Sequence, residues 1–270
     1  PYQQKDFYDI LKIMNSYPVT IRLLDPPLHE FLPQTKLQVQ ELSNELNVHV
    51  NIINQIIKDL HETNPMLGHR GCRLGITYPE ITAMQAQAIF NASKKLIDEG
   101  LNPCPEIMIP LIGTEKEFIH QKKIIQSVYE KMNFKMEYKI GTMIELPRAC
   151  LIADKIAQHA DFFSFGTNDL TQTTFGYSRD DIGGFIYDYL NQSVLPNDPF
   201  ESIDTDGVGQ LIQIAVEKGK AKNIKIGICG EHGGDPKSIQ FFHDIKLDYV
   251  SCSPFRVPIA RLVSAQCNNK

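Results

Sequence analysis

A parallel α/β barrel of the (β/α)8 type is the architecture this sequence predicts, and three observations predict it. Short apolar runs alternate with amphipathic stretches of helical period along the chain, the pattern of a parallel sheet covered on its outer side. The length of 270 residues matches the roughly 250 that such a barrel needs. Residues of chemical character (Arg22, Glu145, Gly166, Thr167, Asn168, Asp169 and Cys229) fall at or just past the C-terminal ends of expected strands, and in a barrel those ends converge on one mouth. A doubly wound open sheet is the rival. It is weakened because no GxGxxG follows the early strands.

The expected strands are residues 19–24, 72–76, 107–112, 138–146, 162–166, 224–229 and 249–253. Helices are expected over 79–99, where Ile81, Met84, Ala88, Ala92 and Leu96 recur at helical spacing, and over 116–132 and 208–218. Three segments break the rhythm: a helical pair over 39–46 and 48–60, a Gly- and aromatic-rich loop with short helices over 182–199, and a final helix over 257–266.

Composition narrows the function classes. With 42% hydrophobic residues the chain can bury a sizeable core, and a net charge of −5 gives no electrostatic footprint for nucleic acid. No apolar run approaches the roughly 20 residues of a membrane span, and the N-terminal PYQQKDFYDI carries no signal-peptide pattern. The six cysteines (72, 104, 150, 229, 252 and 267) form no close CxxC pair. They read as reduced thiols of a cytoplasmic protein. The chain starts without Met and reads as a fragment of a larger protein.

Five segments carry chemistry. In IRLLDPPLHEF, Arg22 and Asp25 end a strand that two prolines then stop; the arginine offers a planar fork to a carboxylate or phosphoryl group, while the plain alternative is an incidental ion pair. In NPMLGHRGCRLG, glycines flank Arg70 and Arg73, and the residues alone do not decide which arginine faces the site. In GTMIELPRA, Glu145 closes a very apolar strand, an expensive place for a carboxylate unless it is paired or binds a metal. In FFSFGTNDLTQTTFGYSRD, Gly166, Thr167, Asn168 and Asp169 follow a buried strand directly. Together with Glu145 they suit Mg2+, which takes one or two carboxylates and leaves its other positions to water and substrate oxygens; Arg179 lies far enough on to fold back over the pocket. In GICGEHGGDP, Cys229 ends a strand beside Glu231 and His232 and reads as a general acid or a buried core thiol. Cys252 in SCSPFRVP is its competitor.

These segments, with RLLDPPLHEFLP, PEIMIPL and YVSCSPFRVPIARLVSAQ, resemble in order and nearly word for word the C-terminal phosphoenolpyruvate/pyruvate-binding domain of the pyruvate phosphate dikinase family, one of the PEP-utilising enzymes. The resemblance implies a barrel whose first strand lies upstream of Pro1. It implies phosphotransfer between pyruvate and a phosphohistidine carried on another domain, and a homodimer. It implies Arg22, Arg179, Arg70, Gly166, Thr167 and Asn168 as substrate-binding residues, Glu145 and Asp169 as substrate contacts and Mg2+ ligands, and Cys229 as proton donor. Phosphoenolpyruvate synthase and enzyme I of the sugar phosphotransferase system share that barrel and are the nearest alternatives. A metal aldolase and a non-catalytic dimerisation module are the remote ones.

Overall fold

Six β-strands form one sheet in the computed structural model, which describes residues 1–269, the His29 side chain excepted. They are β1 (Pro18–Arg22), β2 (Cys104–Ile109), β3 (Lys139–Ile144), β4 (Phe162–Gly166), β5 (Lys225–Cys229) and β6 (Tyr249–Val250). The sheet order is the chain order, and every neighbouring pair is parallel. Parallel neighbours require a crossover between each pair, and crossovers of one hand put every helix on the same side. The sheet therefore curls around its helix-free face into a partial barrel.

The register brings one end of the strands level. Arg22 pairs with Met108, Ile144 with Phe165 and Gly166 with Cys229, so the C-terminal tips form a common rim. Alternation along each strand sorts the side chains. Ile107, Ile109, Ile140, Ile144, Phe163, Phe165, Ile226 and Ile228 face outward into the main core with Ile89, Phe90, Phe118 and Ile212 of the helices. Met108, Met143 and Phe162 face inward as a small second cluster against Cys229.

The helices Pro79–Asp98, Glu115–Glu130, Val208–Lys220 and Val257–Asn268 occupy the expected stretches with ends moved by one or two residues. Thr114 and Glu117 form a reciprocal cap at the start of one of them. The helical pair becomes Lys36–Leu46 and Val50–Asp59. An N-terminal helix, Tyr2–Ile13, packs along Pro79–Asp98.

Two expectations are corrected. Residues 72–76 are not a strand: Gly71–Thr77 is a helix. Its Cys-Arg-Leu-Gly-Ile alternation fits either period over so short a run. Packing decides, because Gly75 brings the backbone against Thr82 and Gln121 where a side chain would collide. The sheet consequently has six strands, not seven. It is also open, since β1 pairs only with β2 and β6 only with β5, so the described residues do not close an eight-stranded ring.

Candidate active site

One cleft of about 230 Å3 opens at the rim, lined by Arg22, Met108, Met143, Glu145, Gly166, Thr167, Asn168, Asp169, Cys229 and Gly230. Five consecutive strands thus contribute to one hollow. A larger surface cleft of about 680 Å3 lies between Pro236–Asp244 and the C-terminal helix, but it gathers neither a buried carboxylate nor Cys229. Of the residues singled out in the sequence, seven line the rim cleft, Arg70 stands directly behind it, and Arg179 lies outside it. The Arg179 side chain is exposed, and its backbone N–H is held by Gln172 at 2.9 Å. Cys252 does not reach the cleft, lying beyond the end of β6.

Glu145 follows the last residue of β3 and is fully buried. Its Oε1 accepts the Leu111 backbone N–H at 2.6 Å, and its Oε2 is buried with no hydrogen-bond partner. Leu111 makes that contact from a left-handed conformation, φ 61°, uncommon for a residue other than glycine. Burial, followed by the negative charges of Asp169 and Asp25, pushes the Glu145 carboxyl up to about 8, against the pull of Leu111 and Arg70. Gly166 makes this approach feasible, because a Cβ there would collide with the Glu145 carboxylate and with Met143. Gly166→Ala is expected to displace Glu145 and lower the melting temperature by several degrees, the cost of overpacking being about 1–3 kcal/mol; a thermal melt checks it.

The charges on the opposite side form a chain. Asp25, 4% exposed, accepts Arg22 at 3.2 Å and Arg70 at 2.6 Å on the same oxygen. Arg70 continues to Asp169 at 2.8 and 3.3 Å. Burial works against the Arg70 charge, but Asp169 and Asp25 outweigh it and hold its proton more firmly than usual. Arg73 instead turns to the carbonyls of Leu67 and Gly68. Arg70 is thus the arginine of its segment beside the site, and its fork is spent on protein carboxylates. Arg22 keeps nearly half its side chain exposed toward the cleft.

Cys229 faces this group from β5. Burial pushes its thiol up to about 11; the Ser164 hydroxyl opposes that shift, Glu145 adds to it and Arg22 reduces it. At neutral pH the thiol therefore carries its proton. Below the cleft, His232 is fully buried between Thr167 Oγ1 at 2.7 Å and the Pro199 carbonyl at 2.9 Å. Burial lowers its pKa. The neutral ring donates from Nε2 to Pro199 and accepts the Thr167 hydroxyl at Nδ1, which fixes Thr167 at the start of helix Thr167–Phe175. Sequence reasoning passed over Leu111, Ser164 and the bridging roles of Asp25 and His232. Ser164 alone had a signal, lying midway between Phe162 and Gly166 on the inward face.

Among the described residues no group of three or more His, Cys, Asp and Glu side chains is placed to hold a metal. The donors of the cleft fit a different kind of cation. Glu145 Oε2 and Asn168 Oδ1 are both buried and unpartnered, and Asp169 stands beside them. Oxygen donors with two carboxylates suit a hard cation completed by water and substrate oxygens.

A buried glutamate, a partly exposed aspartate, an arginine fork and a protonated thiol thus gather around one rim. The chain belongs to the family of the PEP-utilising enzyme, PEP-binding domain, whose model matches residues 2–269. It is 58% identical to the chloroplastic pyruvate, phosphate dikinase of Flaveria trinervia, covering 98% of this chain and 29% of that protein. Against pyruvate, phosphate dikinase 1 of Arabidopsis thaliana it is 58% identical, covering 98% and 28%. Against pyruvate, phosphate dikinase 2 of Zea mays it is 57% identical, covering 98% and 31%. The chain spans less than a third of the length of these relatives. Among solved structures, a citrate lyase from Burkholderia xenovorans LB400 superposes with a TM-score of 0.46 at 12% identity, over 67% of this chain and 53% of its own.

Proposed function

We propose that this domain performs the pyruvate/phosphoenolpyruvate half-reaction of a pyruvate, phosphate dikinase, exchanging a phosphoryl group with a phosphohistidine elsewhere in the full chain. The complete protein would then convert ATP, pyruvate and phosphate into AMP, phosphoenolpyruvate and diphosphate. The observation that carries the reading is the gathering, around one cleft, of Glu145, Asp169, Arg22 and the protonated Cys229 thiol. The dikinase relatives support the choice of substrate.

From phosphoenolpyruvate, the P–O bond at C2 breaks and the phosphoryl group passes to a ring nitrogen of the histidine. The enolate left behind becomes pyruvate when its C3 takes the proton of the Cys229 S–H bond. The resulting thiolate is stabilised by Arg22 and Ser164 until solvent returns the proton. In the opposite direction the thiolate removes a methyl proton, and the enolate oxygen accepts the phosphoryl group. Arg22 neutralises charge on the transferring group, and Asn168 orients the substrate. Glu145 and Asp169 would hold Mg2+, which when bound supplies Lewis-acid polarisation of the substrate oxygens. The sheet edges at β1 and β6 are where further strands of a complete barrel would pair.

Isothermal titration of the full chain with phosphoenolpyruvate tests the reading. Binding is expected to require Mg2+ and to weaken at least about tenfold in Asp169→Ala. Binding of equal strength without metal, unchanged in that variant, removes Glu145 and Asp169 from the proposed role.

A further inference from the structure

Asp25 is nearly inaccessible, and its Oδ1 has no hydrogen-bond partner, an arrangement that costs stability unless the charge is used. The chain invests in keeping it there. Pro26 and Pro27 stiffen the exit from β1, and the Leu24 N–H is pinned by Gln85 at 2.8 Å. Gly71, with φ +57°, lets the backbone beside Arg70 pass against Asp25 and Leu111, where a Cβ would be too close. The two cations that Asp25 gathers do different work. Arg22 lines the cleft and remains half exposed, whereas Arg70 is 4% exposed and bonds Asp169. A single oxygen, Oδ2, thus joins the substrate-facing arginine to the arginine that grips a proposed cation ligand.

The sharing of Arg70 is uneven. Its Nη2 lies 2.6 Å from Asp25 and 3.3 Å from Asp169, while Nη1 lies 2.8 Å from Asp169. Its Nε donates to the Asp25 carbonyl at 3.2 Å. Asp25 therefore draws part of the guanidinium charge away from Asp169.

We infer that Asp25 is a positioning residue that divides Arg70 between itself and Asp169, and so sets how freely Asp169 can take a divalent cation. This rests on the reading of Glu145 and Asp169 as the cation site. With an uncharged residue in place of Asp25, Arg70 keeps only Asp169 as its carboxylate partner and competes there with the cation.

The test is a thermodynamic cycle on the full chain without substrate, with Mn2+ as the probe and free Mn2+ measured by electron paramagnetic resonance. Asp25→Asn is expected to weaken Mn2+ about tenfold when Arg70 is present, the scale on which a neighbouring charge acts on a carboxylate. In an Arg70→Met background the same substitution is expected to change Mn2+ affinity by less than about twofold, the two effects being coupled through contact. Asp25→Ser replaces Asp25→Asn in the same cycle if the amide prevents folding. An equal loss in both backgrounds overturns the inference, because Asp25 would then act only as a nearby charge or a structural support. No change in either background overturns it too. Failure of the unsubstituted protein to bind Mn2+ overturns both the inference and the cation site beneath it.

Discussion

Cys229→Ala is expected to abolish exchange of the pyruvate methyl protons with solvent in the full chain, lowering it by about a thousandfold, within the usual range for losing a positioned general acid or base. Binding of phosphoenolpyruvate should change by less than about threefold, because Arg22, Asn168, Glu145 and Asp169 line the cleft independently of Cys229. The pH dependence has a definite sign. The thiol is pushed up to about 11, so the proton donor stays loaded across the neutral range, and protonation of the enolate should be flat with pH there. The reverse proton abstraction needs the thiolate and should rise with pH toward that value. Cys229→Ser should not restore exchange, since a hydroxyl neither ionises in that range nor matches the thiolate as a base. Deuterium incorporation followed by NMR gives the measurement, and full exchange in Cys229→Ala would remove the thiol from its role.

How much of this was legible before the structure differs between elements for physical reasons. Strands β2 to β5 are buried on both faces, so they appear in the sequence as apolar runs with little else that they can be. The rim residues were legible for the same reason: a carboxylate or thiol at the end of such a run stands out against its surroundings. Residues 72–76 misled because five residues cannot separate period 2 from period 3.6, and the deciding contact comes from Gln121, far along the chain. Arg70 showed a related limit. Its segment pointed to a site, yet only the fold brings Asp25 and Asp169 to its two sides, 45 and 99 residues away. The role of Asp25 was out of reach for that reason. Leu111 was hidden differently, since its contribution is a backbone N–H aimed by a left-handed φ, and no side-chain pattern records it.

Glu145→Gln is expected to make the protein more stable without a divalent cation and less stable with one. The carboxyl has an ordinary value of 4.5 and is pushed up to about 8 in the fold, chiefly by burial. A carboxyl raised in this way stabilises the fold fully below its unfolded value, and that contribution is lost as pH climbs through the window from about 4.5 to about 8. Glutamine imitates the protonated acid and keeps an acceptor for the Leu111 N–H, so it avoids the loss. Metal-free melts of the two proteins should coincide near pH 4.5 and separate by pH 8, the variant melting several degrees higher for a difference of roughly 4 kcal/mol. Saturating Mn2+ should reverse the order. A ligand at about ten thousand times its dissociation constant adds about 5.5 kcal/mol to the protein that binds it, and the variant has lost a charged donor. The crossing of the two curves is the informative result. A variant that is less stable under both conditions would mean that the buried carboxylate contributes to the fold itself. A variant still stabilised by Mn2+ as strongly as the unsubstituted protein would mean that the cation is held without Glu145. Crossing curves would instead identify the unpartnered Oε2 as a cost that the fold carries until a cation relieves it.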